Sequence, residues 1–190
     1  MNSPPSSSVH TDTATDVMSD MAHNCLSVSV ATDFDVKQKI AEAKESCQQQ
    51  GLRFTAQRKQ IYRHILEATT PLGAYDILAL MQQQHNESMM TQSKSKSKKS
   101  VAPPTVYRGL EFLLKAGFIH QLISINAFVP CCHPRQPHLA VFLMCKQCGR
   151  VQEYGHATLR AFIEQTKDAT GFSPHRSVFE ISGLCHQCHC

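Results

Sequence analysis

Two short cysteine pairs, Cys145-x-x-Cys148 and Cys185-x-x-Cys188, constrain this chain more than any other feature. Each pair suits a tight turn in which both sulfurs face one point, and 36 residues separate the two pairs. Each also follows an expected strand, Leu139–Met144 for the first and Ser177–Ser182 for the second. Gly149 follows the first pair and Gly183 precedes the second. Four thiolates at tetrahedral angles make a closed zinc site with no position left for a substrate, so its role is structural. The competing readings are buried structural cysteines or a redox C-x-x-C pair, and two matched pairs argue against both. Zinc in such a site contributes on the order of 10 kcal/mol, coupled to folding. The unit that carries it spans about 60 residues, a size at which a hydrophobic core alone is seldom enough.

The compartment enters through the cysteine count. Nine cysteines in a chain of 190 residues form no complete disulfide framework, because the number is odd. The N-terminus has no basic start followed by an apolar run, and the apolar stretch Leu26–Ala31 is short and broken by Ser27 and Ser29. No segment approaches a membrane span in length. A cytoplasmic chain with reduced thiols is expected, and there paired cysteines point to metal before disulfide. The net charge of +4 tolerates nucleic acid without demanding it.

Periodicity divides the remainder. Residues 1–35 are rich in Ser, Thr, Asp and Pro without a period and are expected to form a disordered tail. Val36, Ile40, Ala43 and Cys47 recur at helical spacing, and Gly51 is a stop. Thr55 caps a second helix burying Ile61 and Ile65. A third runs from about Ala74 through Ile77, Leu80 and Met81. The run Ser93–Ser100 reads as a solvated basic linker, or as a loop brushing DNA phosphates. Pro103-Pro104 ends that loop and Thr105 begins a fourth helix, with Val106, Leu110, Leu113 and Leu114 as its apolar stripe and Gly117 as its stop. Phe118–Ile123 and Ala127–Val129 read as a hairpin. Helices followed by a hairpin is the winged-helix order, and Tyr107, Arg108, Glu111 and Lys115 lie on the exposed face of the helix that would enter a major groove. After Pro130 come strands Leu139–Met144 and Arg150–Tyr154, a helix with Leu159, Phe162, Ile163 and Thr166 on one face, and strand Ser177–Ser182.

The expected fold is α+β: a winged-helix DNA-binding domain over 36–123 with a basic insertion at about 89–101, a hinge at 124–130, and a small α/β dimerisation domain over 131–190 that holds the four-cysteine zinc site. Soft ligands remain near the junction: His120, Cys131, Cys132, His133, His138, Glu153, His156, His186 and His189. A site of His120, Cys131, His138 and Glu153 would clamp the two units, with Cys132, His133 and His156 as substitutes. The competing reading is solvated side chains on strands. One thiolate, two imidazoles and a carboxylate suit zinc better than a hard ion. Cys190 is assigned no role.

The chain from about Val36 to Cys188 resembles the ferric uptake regulator family, and within it the zinc uptake regulators. The match rests on Phe54-Thr-Ala-Gln-Arg58, Ala74-Tyr-Asp76, Pro103-Pro-Thr-Val-Tyr-Arg108, Gly109-Leu-Glu-Phe-Leu-Leu114, Gly117-Phe-Ile-His120, Cys145-Lys-Gln-Cys-Gly149 and Gly183-Leu-Cys-His-Gln-Cys188. The resemblance implies a homodimeric, metal-dependent repressor whose winged helix binds an AT-rich palindromic operator in double-stranded DNA, with about two zinc ions per subunit. It maps the structural zinc onto Cys145, Cys148, Cys185 and Cys188, and the regulatory zinc onto His120, Cys131, His138 and Glu153. It draws DNA contacts from Tyr75, Thr105, Tyr107 and Arg108. Three departures stand out. Ala56 replaces the family's usual Pro. Cys131-Cys-His-Pro-Arg-Gln-Pro-His138 replaces the His-rich tract of iron sensors, which favours zinc. The insertion at Met89–Val101 and the tail are longer than usual. An iron or peroxide sensor on the same scaffold is the nearest alternative. A zinc hydrolase would need an open coordination position and a nearby base, and no H-E-x-x-H, Gly-rich phosphate loop or paired carboxylates occur.

Overall fold

The computed structural model describes residues 24–25, 32–91, 101–134, 138–155, 157–174 and 177–189. The basic run 93–100, His156, Cys190 and most of the N-terminal tail lie outside these.

Four helices open the fold: α1 (Asp33–Gln49), α2 (Ala56–Glu67), α3 (Ala74–Thr91) and α4 (Pro103–Lys115). Thr32 starts α1 with a capping box shared with Asp35, and the Thr55 side chain accepts from the Arg58 N–H to start α2. Gly51 and Gly117 take positive φ just past the ends of α1 and α4, where a side chain would be strained. The apolar stripes converge on one core, with Val36, Cys47, Ile61, Ile65, Ile77, Met81, Val106, Leu110 and Leu113 all buried.

Two details differ from the sequence expectation. Pro103 and Pro104 lie inside the first turn of α4 rather than before it, because a missing N–H costs nothing where no acceptor exists. On α3, Leu80 is exposed and Leu78 packs against the core instead. Gly109 lets α2 approach α4: a Cβ there would sit 2.3 Å from Ile61 Cδ1.

The wing is a three-stranded antiparallel sheet in the order β2 (Leu72–Gly73), β4 (Ala127–Pro130), β3 (Ile119–Leu122). Its middle strand, β4, occupies the segment expected to be the hinge. A strand hydrogen-bonded on both edges is part of the wing, so the chain crosses between units at Cys131–His138 instead.

The second unit is a four-stranded sheet in the order β1 (Asn24–Cys25), β6 (Val151–Gly155), β5 (Ala140–Cys145), β7 (Phe179–Gly183). Helix α5 (Ala157–Thr170) connects β6 to β7, which runs parallel to β5. Asn24 and Cys25, within the stretch expected to be disordered, pair with Tyr154 and Glu153. Backbone pairing needs no side-chain period, so composition gave no sign of it. Leu122 and Val129 of the wing pack with Ala140, Phe142 and Val151 of this sheet in a second apolar cluster. The two units therefore share a core.

Candidate metal centres and nucleic-acid face

Strands β5 and β7 end side by side, with Cys145 paired to Gly183, so the turns that follow them meet. Cys145, Cys148, Cys185 and Cys188 offer sulfurs that all lie within 4.8 Å of one another. The Cys185 N–H donates to Cys145 Sγ at 3.3 Å. Backbone N–H groups of Cys148 and Cys185 hold Cys145 down at about 6. The Arg150 backbone N–H, then its guanidinium, lowers Cys148. Cys188 is pushed up to about 12, foremost by Cys185. Four crowded thiolates cannot all shed their protons without a cation, and a soft divalent ion supplies that charge. Sequence reasoning passed over Arg150, whose guanidinium also donates to Gln187 and so ties the two turns together.

The second group is His120, Cys131, His138 and Glu153, whose donor atoms also lie within 4.8 Å of one another. His120 stands on β3, Glu153 on β6, and Cys131 and His138 flank the crossing segment. Cys131 and Glu153 are buried. His138 Nε2 lies 2.6 Å from Glu153 Oε1 and 3.6 Å from Cys131 Sγ. The Cys132 N–H donates to Glu153 Oε2 at 3.1 Å and fixes the carboxylate. His120 Nε2 is buried and makes no hydrogen bond, although Glu153 Oε1 is only 3.5 Å away.

Burial by itself would depress His120, but Cys131 and Glu153 outweigh it and raise it to about 9. Burial likewise opposes ionisation of Cys131 and Glu153, yet the two imidazoles hold both below their usual ranges. An orphaned imidazole nitrogen facing a thiolate, a carboxylate and a second imidazole is a donor set that fits a borderline-soft cation. Of the substitutes, Cys132 presents its backbone here and His133 lies with its ring 6.0 Å from that of His138. His186 and His189 fall in and beside the second cysteine turn, away from this cluster.

Of the expected DNA-contact residues, Tyr75 and Tyr107 lie beside each other. Tyr75 opens α3 and is 71% exposed; Tyr107 on α4 is 50% exposed. Desolvation and the neighbouring Tyr75 hydroxyl push Tyr107 up. Arg108 is exposed and Thr105 half-buried. Arg58 stacks over the Phe112 ring at 3.6 Å, a cation–π contact between α2 and α4. No helix among the described residues is long and apolar enough to cross a membrane.

The profile of the ferric uptake regulator family matches residues 49–182. The zinc uptake regulation protein of Escherichia coli strain K12 is 31% identical over 150 residues, which is 78% of this chain and 80% of that protein. A solved zinc uptake regulator complexed with zinc and DNA superposes with a TM-score of 0.70 at 32% identity, covering 81% of this chain and 95% of that one. Holo XcZur superposes with a TM-score of 0.68 at 33% identity, covering 80% and 97%.

Proposed function

Given that this chain belongs to the ferric uptake regulator family, we propose that it is a zinc-responsive transcriptional repressor, which binds operator DNA as a homodimer when zinc is sufficient and represses zinc-uptake genes. It is a regulator and not an enzyme, as its family and its curated relative are. The observation that carries the zinc reading is the junction cluster, where His120 of the wing meets Cys131, His138 and Glu153 and its buried Nε2 makes no hydrogen bond.

We assign one zinc to Cys145, Cys148, Cys185 and Cys188 as a structural staple, and a second to His120, Cys131, His138 and Glu153 as the sensed ion. Zinc, when bound, supplies a divalent cation that cross-links four donors and compensates their negative charge. The chain's own residues set what that accomplishes. His120 ties β3 of the wing to β6, and the Cys132 N–H keeps Glu153 turned toward the cluster. Orientation of the wing fixes where α4 stands, and with it Tyr107 and Arg108. Two recognition helices in a dimer reach successive major grooves only at one spacing, so a population shift at the junction becomes a shift in operator affinity. Arg108 reads a guanine edge, Tyr75 and Thr105 help set register, and other cations hold phosphates of an AT-rich palindrome. The thiolate of Cys131 favours zinc over iron. The working compartment is the cytoplasm, where thiols stay reduced.

In the test, the metal-free full-length chain is titrated with zinc in the presence of a duplex selected from a randomised pool by the zinc-loaded protein. Two zinc ions per subunit are expected, one for each donor cluster. Salt-dependent, sequence-specific binding should appear only as the second site fills. Binding that ignores zinc, or that is complete with the cysteine site alone filled, overturns the reading.

A further inference from the structure

We infer that Glu180 is a positioning residue which locks the wing hairpin onto the second sheet in the arrangement that binds operator DNA. The inference rests on the operator-binding reading above, but its geometry stands by itself. Glu180 lies on β7, at the far edge of the second sheet from β1. Its Oε1 accepts the Ile123 N–H at 2.6 Å and its Oε2 accepts the Ser124 N–H at 3.2 Å. These are the first two residues of the turn that joins β3 to β4. Asn126, at φ +47°, closes that turn with its N–H directed to the Ile123 carbonyl at 3.4 Å.

Two carboxylate oxygens on two consecutive amides define a direction as well as a distance. Charge-assisted bonds of this kind are also stronger than neutral ones. Burial opposes ionisation of Glu180, and the Ser124 hydroxyl together with the two amides more than offsets it.

Strand register explains why this contact bears on the switch. Phe142 on β5 is paired with Glu153 on β6 and with Glu180 on β7. Directly paired residues project to the same face of a sheet. The face turned toward the wing therefore carries one carboxylate on each side of Phe142. Glu153 reaches His120, and Glu180 reaches the turn three residues further along the same hairpin. Between them, the ring of Phe142 lies 5.1 Å from that of His120. A strand held at one point can swivel about it, whereas a strand held at two has its orientation set. On this arrangement the junction cluster and Glu180 act on β3 together, and loosening either weakens the other's contribution.

The test uses the full-length zinc-loaded chain, with Glu180→Ala and Glu180→Gln, and the selected duplex as probe. The Ile123 and Ser124 amides should be protected from hydrogen exchange in the wild type, lose protection in Glu180→Ala, and recover part of it in Glu180→Gln, which keeps one acceptor. Operator affinity of Glu180→Ala should fall about tenfold at saturating zinc, with both zinc sites still filled. The zinc midpoint of the junction site in the presence of operator should rise, and Glu180→Gln should fall between. Equal exchange of the two amides in wild type and Glu180→Ala, or unchanged operator affinity and zinc midpoint, overturns the inference. A wild type that never binds the duplex in a zinc-dependent way fails the regulator reading instead, while the exchange measurement still decides whether the lock exists.

Discussion

An imidazole as buried as His120 should be neutral, yet it is held at about 9 because Cys131 and Glu153 surround it. Replacing any one ligand therefore leaves uncompensated charge as well as one donor fewer. His138→Ala should lower zinc affinity at the junction by on the order of 100-fold and abolish zinc-dependent operator binding, with the fold intact. Circular dichroism would verify the fold, and zinc dependence equal to wild type would remove His138 from the site. A second imidazole, His64 on α2, is buried with an unpartnered Nε2, and burial lowers it below its usual 6.5. The unfolded chain then binds more protons than the folded one as pH falls through 6.5, so this group's stabilising contribution, present above that value, is lost below it. In urea unfolding at saturating zinc, His64→Leu should gain stability relative to wild type between pH 7.5 and pH 5.5; an equal difference at both values would contradict it. At this scale the sequence was legible where residue types are scarce and chemically committed, as with the two donor clusters. Glu180 was not, because a glutamate on a strand looks like any solvated glutamate until its partner 57 residues away is seen. Arg150 was hidden in the same way behind the cysteines it serves.

Helices carry their own period, so α1, α2 and α4 were legible as helices, α2 down to its Thr55 cap, whereas the Thr32 cap of α1 and the Pro103 start of α4 were not. Strand β2 was not. Its two residues are too few for alternation to show, and they are strand only because β4 lies beside them. The exchange of Leu80 for Leu78 on α3 is a choice between two neighbours on a broad apolar face, decided by packing against the core rather than by spacing. Packing of α2 on α4 supports a sharper prediction. Gly109→Ala gains about 1 kcal/mol of helix propensity and meets Ile61 Cδ1, within the range where overpacking costs about 1–3 kcal/mol. Ile61→Val removes that carbon. The two substitutions together should be about 1 kcal/mol more stable than the sum of their separate effects, read from a double-mutant cycle in urea. Additivity would show that the helices separate freely to admit the methyl group.

The whole molecule brings together two donor clusters to which we assign unlike jobs, and on that assignment they should fail differently. Cys145→Ser removes one of the four thiols to which we assign the zinc where β5 and β7 end, so the second unit should lose its fold and the chain its dimer, seen by sedimentation. His138→Ala should leave both. A Cys145→Ser chain that stays folded and dimeric would show that the second unit's core suffices without metal. Ala127–Val129 already read as the second strand of the hairpin, and the pairing of β4 with both β2 and β3 carries the wing on to Pro130, through the segment expected to be a hinge. The shared core across the junction was hidden, since Leu122 and Val129 look like ordinary hairpin residues.

That shared core has a consequence for inheritance. Any rearrangement that parts the wing from the second sheet must expose Leu122, Val129 and Phe142 to water, so their packing biases the junction toward its closed form whether or not metal is present. Val129→Ala should accordingly raise the zinc concentration needed for operator binding several-fold while leaving all eight donors untouched. Lineages facing scarcer or richer zinc can reset such a sensor by trading a methyl group in hydrocarbon, a far more frequent and forgiving class of mutation than any change to the coordinating residues.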